Sequence, residues 1–404
     1  MFSQYSIMLF ISSSIIFILV IFIVLLLLYK TKSPFWKYQP VYHLYNPFNY
    51  FHFKPHIINE EPIEKNKYFI KDIKCNDILN LSKNQKQLIL NLIQNHFLKT
   101  KNIHYNPDLN ELFTYFDGHN KSSYISLHYT NEKFIEERKN NIGEDEKLIG
   151  CISSRPLEIH FFKKQTGSLN IYYVDHLCVD SKHRNQKIAP QLIQSHERYR
   201  RFLKPKMKVS LFRRDVSLSN IMPFTIFDCY VFDCSNWYIQ EMQNNLHIEE
   251  ITSSNFALFY NYFQEHKANF DCIITPSISH ITELINKNLI HIYVAQIDNE
   301  LLGIYFFRNS STYFYNQKAG ECFGSIHNIK FNKKDFISGF QNSTYKCLKK
   351  YNYYHMLYDD ISHNKAYIDH LVQNQNAHYN YKCGYYFYNF LIHPKPSHQV
   401  FMFH

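Results

Sequence analysis

Residues 171–200 read IYYVDHLCVDSKHRNQKIAPQLIQSHERYR and show the most informative pattern of apolar, basic and helical residues. It begins as an apolar strand and ends as a helix that starts near Ala189 and Pro190. The turn between them carries four basic residues, Lys182, His183, Arg184 and Lys187. Free N–H groups at a helix start, the positive end of the helix dipole and nearby cations together suit a pyrophosphate. A solvated basic loop before a helix is the alternative that the pattern alone leaves open.

Patterned segments on both sides of this stretch indicate a mixed α/β protein. In the first half, a helix, two strands and a second helix are predicted at residues 81–98, 148–162, 171–179 and 189–203. In a similar second half, a helix, two strands and a helix are predicted at residues 281–290, 291–298, 301–307 and 337–351. The sequence therefore predicts two tandem α/β units, one over residues 57–244 and one over residues 245–404.

The quoted stretch resembles the acyl-CoA-binding core of the N-myristoyltransferases. In that family a strand that ends Leu-Cys-Val leads into a turn of the form Arg-x-Lys-Arg-Val-Ala-Pro. The matching residues here are Leu177, Cys178, Val179, Arg184, Lys187, Ile188, Ala189 and Pro190. The resemblance implies that these residues, together with Asn185 and Gln186 within the turn, bind acyl-CoA.

An extended arm over residues 30–56 carries a second motif of the same family. Proline at four positions of the arm prevents a continuous helix there. Residues 35–41, FWKYQPV, look like the family's Phe-Trp-x-Thr-Gln-Pro-Val, although Tyr38 replaces the usual Thr. In the family this motif lies over the CoA, which implies that Phe35 and Trp36 contact the donor.

Two more motifs extend the resemblance toward the end of the chain. Residues 148–160, LIGCISSRPLEIH, are similar to a family strand, but Arg155 departs from its apolar pattern. Residues 364–365, NK, and 385–390, YYFYNF, resemble the family's Asn-Lys and Tyr-Tyr-Leu-Tyr-Asn-Trp. The similarity therefore runs in islands from about residue 34 to the last residue.

The resemblance implies two tandem lobes of the GNAT-like acyl-CoA N-acyltransferase fold and a direct acyl transfer. A long-chain acyl group, expected to be myristoyl, would pass from acyl-CoA to the amine of an N-terminal glycine, with acyl-CoA as co-substrate and no other cofactor. In the family, the backbone N–H groups of two successive strand residues hold the oxyanion, and these correspond to His176 and Leu177. Cys178 beside them has no partner base in view, so we interpret it as a buried hydrophobe and not as a nucleophile.

A base must remove a proton from the glycine amine, since an α-amino group has a pKa of about 8 and arrives largely as ammonium. In the family this base is the terminal α-carboxylate of the chain, which here would belong to His404. A free α-carboxylate has a pKa of about 3.5, so desolvation would have to strengthen it. Residues 400–403, VFMF, are apolar enough to insert into a core.

The expected acceptor groove departs most from the family. Where the family has an acidic run after the first helix, residues 97–101 read FLKTK, so the charge is reversed. We expect Phe97, Lys99, Lys101 and Tyr386 to contact the peptide substrate. Two other functions stay open: a CoA-dependent acetyltransferase of small amines, and a catalytically inactive membrane scaffold that binds acyl-CoA or an acylated protein.

The N-terminal segment predicts a single transmembrane helix over residues 7–29, after a short segment of residues 1–6. The run is uncharged, and at about 34 Å as a helix it is long enough to cross the hydrocarbon layer. A cleaved signal peptide is the alternative, but no basic region precedes the run and no cleavage site follows it. Lys30, Lys32 and Lys37 follow the helix, so the positive-inside rule places the catalytic part in the cytosol.

The amino-acid composition limits the class of protein and the kinds of site and partner that are expected. The 404 residues include 45% hydrophobic and 19% charged residues, which is typical of a globular chain. Nine cysteines are scattered without a CxxC pair, and no HExxH or Cys/His cluster accompanies the 23 histidines, so a reducing compartment and no metal site are expected. The net charge of +10 comes without any nucleic-acid-binding motif, so no nucleic-acid partner is expected.

Overall fold

The computed structural model describes most of the chain after the N-terminal segment. It describes residues 8, 10–21, 24, 35–44, 46, 51, 54–136, 141–162, 167–215, 221–238 and 245–404. Within these residues, one mixed sheet of fifteen strands runs through the molecule, with helices packed on it. The predicted mixed α/β fold is confirmed.

The first half contributes eight strands and three helices. The strands are β1 (His56–Ile57), β2 (Lys74–Asp77), β3 (Ile103–Tyr105), β4 (Tyr124–Glu136), β5 (Asn141–Phe161), β6 (Gly167–Val179), β7 (Val209–Asp215) and β8 (Thr225–Asp233). The helices are α1 (Lys83–His96), α2 (Leu109–Thr114) and α3 (Ile188–Leu203). A single 3₁₀ turn, Trp36–Tyr38, begins the arm.

The second half contributes nine strands and four helices. The strands are β9 (Leu246–Glu250), β10 (Cys272–Thr275), β11 (Ile290–Ile297), β12 (Glu300–Phe314), β13 (Gln317–His327), β14 (His355–Asp359), β15 (Tyr379–Tyr388), β16 (Phe390–Leu391) and β17 (Val400–Met402). The helices are α4 (Phe256–His266), α5 (Ile278–Asn286), α6 (Lys333–Tyr351) and α7 (Lys365–Asn374).

Strands from the two halves alternate in the sheet. The main order is β17-β10-β5-β6-β7-β15-β8-β14-β13-β12-β11-β9. Strand β15 of the second half lies between β7 and β8 of the first, and β10 of the second half pairs with β5. The two units predicted from the sequence order therefore share one sheet, and long-range strand pairing ties the chain end β17 to β10.

A split between two strands creates the space for the functional site. Strands β6 and β7 pair in parallel only from Ile171 to Val174 on one side and from Val209 to Phe212 on the other. Beyond these residues no further pairs of the two strands are formed within the described part of the chain. A cavity opens where the strands part, and the start of helix α3 lies at its edge.

Most predicted elements agree with the structure, but one helix ends earlier. The helix predicted over residues 281–290 ends at Asn286, and Ile290 already begins strand β11. Asn288 adopts a left-handed backbone with φ of 55°, which breaks the helical path. Asparagine adopts this conformation more easily than β-branched residues do, so Asn288 is a signal in the sequence for the end of the helix.

The predicted membrane anchor falls partly outside the described residues. Of residues 7–29, the structure describes residues 8, 10–21 and 24, all of them helical. Among the described residues, no helix has both the length and the apolar character that crossing a membrane requires. The anchor over residues 7–29 therefore remains a prediction.

Candidate active site

Helix α3 begins without a side-chain cap, which leaves its first N–H groups available for an anion. The residue before the helix, Lys187, has a left-handed backbone with φ of 65° and makes no side-chain cap hydrogen bond. Asn185 is also left-handed, with φ of 64°, so the chain turns sharply into the helix. The unpaired N–H groups and the helix dipole favour negative charge at this point.

The basic turn before α3 is exposed, and one of its side chains braces a neighbouring helix. Arg184 donates from Nη2 to the backbone oxygen of His96 at the end of α1, at 2.6 Å. The carboxylate of Asp180 lies 3.5 Å from Lys147 Nζ and accepts a hydrogen bond from the N–H of Lys182. The turn is therefore held in place by bonds that leave Lys187 exposed.

One large cavity connects this turn with the end of the chain. Its volume is about 1450 Å³. The predicted site residues that line it are Trp36, Phe97, Lys99, His176, Leu177, Cys178, Val179, Arg184, Asn185, Lys187, Ile188, Ala189, Pro190 and His404. The structure thus brings the predicted donor site and the predicted catalytic groups together in one space.

Four predicted contact residues lie elsewhere. Phe35 is buried against the ring of Tyr68, and Gln186 and Lys101 are exposed. Tyr386 is fully buried and stacks on Phe212 with ring centroids 5.5 Å apart. Burial therefore gives Tyr386 and Phe35 a packing role here, in which they support residues that line the cavity. The predicted contacts of these four residues with ligand remain untested.

The arm is fastened over the cavity by stacking and by a buried hydrogen-bond network. Trp36 stacks on Phe212 with ring centroids 5.7 Å apart, and both residues line the cavity. The buried Gln39 side chain donates to Gln194 of α3 and accepts from the Tyr388 hydroxyl. The motif at residues 35–41 therefore lies beside the cavity, and its contact with the donor stays a prediction.

A bulge in β6 sets His176 and Leu177 apart from regular strand pairing. Cys151 of β5 pairs with Cys178, and Ser153 pairs with Asp175, so two residues of β6 face one residue of β5. His176 has φ of 50°, a left-handed conformation that costs energy in a non-glycine residue and often marks a functional site. A bulge of this kind re-aims backbone N–H groups, which an oxyanion hole requires.

The N–H of His176 is hydrogen-bonded to the side chain of the residue before it. It donates to Oδ1 of Asp175 at 2.8 Å. The His176 ring contacts Ser153 Oγ through Nδ1 at 3.0 Å and lies near the ring of Phe97, so the side chain is fixed. Burial lowers the pKa of His176, although the Asp175 carboxylate opposes that shift.

His404 lies in the interior beside three arginines. It is 3% exposed, and its backbone oxygen accepts a hydrogen bond from Arg308 Nη1 at 2.9 Å. Its ring packs on Tyr173, with centroids 4.5 Å apart. Burial, and then the charges of Arg308, Arg155 and Arg213, lower the pKa of the imidazole well below its usual range. The ring is therefore neutral, and it lies beside arginines that are paired with carboxylates.

The arginines near His404 belong to a buried ion network. Arg308 binds Glu321 through Nε and Nη2 at 2.8 and 2.9 Å. Arg213 binds Asp359 through both Nη atoms, at 2.8 and 2.9 Å, and reaches Glu321 at 3.1 Å. Burial alone would raise the pKa of Glu321, but the two arginines lower it to about 2. Glu321 therefore stays ionised beside the two arginines, whereas burial raises the pKa of Asp359. The network fixes the wall of the cavity around the chain end.

Cys178 behaves as a buried thiol. Its sulfur donates to the backbone oxygen of Leu92 at 3.7 Å, and burial raises its pKa to about 12. A thiol with a raised pKa is a poor nucleophile at neutral pH. The described residues hold no group of His, Cys, Asp and Glu side chains that could bind a metal ion.

Several charged residues of the site were not predicted from the sequence. They are Arg155, Asp175, Arg213, Arg308, Glu321 and Asp359. Each interrupts or ends an apolar strand, and a charged residue in such a position is a usable signal because burial of a charge requires a partner. The departure of Arg155 from the apolar pattern of residues 148–160 was this kind of signal.

Comparisons with known proteins agree with this geometry. Residues 56–223 match the family model described as "Myristoyl-CoA:protein N-myristoyltransferase, N-terminal domain". Residues 56–223 are therefore similar to the N-terminal domain of that family. The resemblance read from the motifs is thereby confirmed, and the chain is an enzyme of the acyltransferase class. No curated protein matches the sequence.

Solved N-myristoyltransferase structures share the fold over almost the whole chain. A crystal structure of Saccharomyces cerevisiae N-myristoyltransferase with bound myristoyl-CoA matches with a TM-score of 0.67 and 13% identity, covering 91% of this chain and 94% of that one. A second, with bound myristoyl-CoA and inhibitors, gives 0.67 and 13%, covering 93% of each chain. At this identity the likeness establishes the fold, which is that of an N-myristoyltransferase.

Proposed function

We propose that this N-myristoyltransferase-like enzyme transfers a long-chain acyl group, myristoyl, from acyl-CoA to the N-terminal glycine of a protein. One observation carries the proposal. A single cavity runs from the uncapped start of α3, past the bulge at His176 and Leu177, to the buried end of the chain at His404. These are the three groups that donor binding, oxyanion stabilisation and deprotonation need.

The donor end binds the CoA pyrophosphate at the start of α3. The N–H groups of the first helical turn and the Lys187 side chain supply donors and positive charge. The acyl chain lies against the apolar wall formed by Ile152, Val174 and Ile193. An acetyl group would leave this wall uncovered, which favours a long chain over acetyl transfer.

The glycine nitrogen attacks the thioester carbon directly. The C–S bond breaks after a tetrahedral intermediate forms, CoA leaves as the thiolate and takes up a proton, and the new amide remains on the peptide. The N–H groups of His176 and Leu177 hold the oxyanion. The Asp175 carboxylate accepts a hydrogen bond from the first of these donors, so it must move aside when the thioester enters.

The terminal carboxylate of His404 accepts the ammonium proton. The position of this residue, 3% exposed in the wall of the cavity, supports the role because exclusion of water raises the basicity of a carboxylate. Arg308 holds the terminal backbone oxygen in place, and its charge limits how far the basicity rises. The carboxylate therefore acts chiefly by its fixed position next to the amine.

A membrane anchor would keep the enzyme near its lipid products. The described helical residues 10–21 carry exposed apolar side chains, and Phe10 is 73% exposed. Exposed apolar surface of this extent is typical of a segment that meets lipid or another protein. The proposed arrangement has a single helix over residues 7–29 and the catalytic part in the cytosol.

The acceptor series that tests this function uses three peptides of one sequence. The first begins with a free glycine, the second with N-acetylglycine and the third with alanine. With the full-length protein and myristoyl-CoA, we expect acylation of the first peptide only, measured by the mass of the peptide. Equal acylation of a lysine side chain in all three peptides would contradict transfer to the N-terminal amine.

A further inference from the structure

Arg155 is a buried cation that the reaction above leaves without a role. It lies on β5, its side chain is 4% exposed, and it lines the cavity. Within the described part of the chain its one ion pair is long, with Nη1 at 3.5 Å from Oδ2 of Asp175. Among the described residues, its buried Nε has no hydrogen-bond partner. A buried guanidinium normally satisfies its donors, so this arrangement is costly without a ligand.

A second buried arginine in the same cavity has hydrogen bonds from every nitrogen of its guanidinium. Arg308 uses all three nitrogens, on Glu321 twice and on the backbone oxygen of His404, at 2.8 to 2.9 Å. Arg155 instead lies between the rings of Tyr115 and Tyr173, at 5.2 and 4.8 Å from their centroids. The rings fix the plane of the guanidinium and leave hydrogen-bonding capacity unused.

Arg155 lies between the oxyanion bulge and the chain end. Its partner Asp175 adjoins His176, whose N–H is a proposed oxyanion donor. Its charge also contributes, after burial, to the lowered pKa of both His176 and His404. The reacting amine must sit between these two residues, so Arg155 faces the part of the cavity that receives the acceptor.

We propose that Arg155 binds the first carbonyl oxygen of the acceptor and thereby selects α-amino acyl compounds over simple amines. This inference rests on the proposed function, since it assigns the acceptor side of the same reaction. In a glycine residue, two carbon atoms separate the amine nitrogen from the carbonyl oxygen, so both groups reach the wall near Arg155 together. A charge-assisted hydrogen bond from a planar guanidinium is directional and fixes the amine in line with the thioester.

The test measures binding of the acceptor to the full-length protein loaded with a non-hydrolysable thioether analogue of myristoyl-CoA. Two peptides are compared by calorimetry: a glycine peptide, and the same peptide with a trans-alkene in place of its first peptide bond. We expect the wild-type protein to bind the natural peptide ten- to a hundredfold more tightly. Arg155→Met should lose this preference, and Arg155→Lys should retain part of it.

Arg200→Met is the matched control. Arg200 is also buried over a tyrosine ring, and its buried Nε has no partner among the described residues, but its two Nη atoms bind Glu197, Ser210 and the backbone oxygen of Met207. It should lower the melting temperature and keep the preference for the natural peptide. Arg155→Met should keep both its melting temperature and its affinity for the thioether.

Three results would overturn the inference. If wild type binds neither peptide, the proposed function fails with it. If wild type binds the peptide and Arg155→Met keeps the full preference, only the role of Arg155 fails. If Arg155→Met loses affinity for the thioether as well, Arg155 serves the donor or the fold and does not select the acceptor.

Discussion

At the donor end of the cavity, the basic side chains are exposed and stand beside an uncapped helix. At the acceptor end, the arginines are buried, and Arg213 and Arg308 are bound bidentately to carboxylates. Exposed cations attract a hydrated polyphosphate over a distance, and salt screens them. Buried ion pairs do not act over a distance, but they hold a surface in one geometry. Under the proposed function, the two ends therefore serve different tasks: the donor end attracts acyl-CoA, and the acceptor end positions the peptide.

The largest expected effect on activity comes from changing the end of the chain, which belongs to the acceptor end of the cavity. A few residues added after His404, or removal of Phe403 and His404, should reduce turnover by about 10² to 10⁴, because the carboxylate is displaced from the amine. Binding of acyl-CoA should be unchanged, since the start of α3 is untouched. Steady-state kinetics and donor calorimetry on the same preparations give both values.

His404→Ala is the control for this test, because it keeps a carboxylate at the same position and removes only the ring. It should keep most of the activity, with some loss of stability from the lost contact with Tyr173. Intact mass spectrometry should verify the last residue of each protein. A tagged protein that turns over like wild type would exclude the terminal carboxylate as the base.

The second test removes the basic side chains of the donor end and leaves the acceptor end unchanged. Arg184→Gln with Lys187→Asn should weaken acyl-CoA binding by about 10- to 100-fold for each lost charged hydrogen bond. Asparagine suits position 187 because it tolerates the left-handed backbone there. Lys182→Ala is the control, as this exposed residue of the same turn does not belong to the cavity wall. An unchanged dissociation constant for the double variant would remove the pyrophosphate from this turn.

The smallest expected effect concerns the preference of the acceptor end for acidic or basic peptides. Lys99 lines the cavity and Lys101 is exposed beside it. Replacing both with Glu should shift the ranking of glycine peptides toward those with basic residues by a few-fold, since exposed charges are screened. Competition between an acidic and a basic peptide measures the ranking. An unaltered ranking together with unaltered donor affinity would place the groove elsewhere.

The sequence predicted the strand, turn and helix of the proposed donor site correctly because these elements are contiguous. Residues 177–190 form one strand, one turn and one helix start, so a single motif specifies the whole arrangement. The bulge at His176 and Leu177 was not visible in the pattern, because it depends on the register of β6 against β5. The assignment of the two N–H groups came from the resemblance.

The acceptor end was less predictable because its parts are far apart in the chain. Arg155 lies on β5, Arg213 on β7, Arg308 on β12 and Glu321 on β13, and the sheet order brings these strands around the chain end. Period-two patterns show which residues are buried but not which strands are neighbours. Only the strand order reveals that these charges meet, and the sequence does not contain that order in any local segment.

A single-turnover experiment tests direct transfer within this divided cavity most directly. The protein is loaded with less than one equivalent of radiolabelled myristoyl-CoA, mixed with excess glycine peptide and quenched at successive times. The account predicts that labelled peptide appears at the rate at which CoA is released, with no label bound covalently to the protein. Covalently labelled protein that forms before labelled peptide, or CoA release with no labelled peptide, would contradict it.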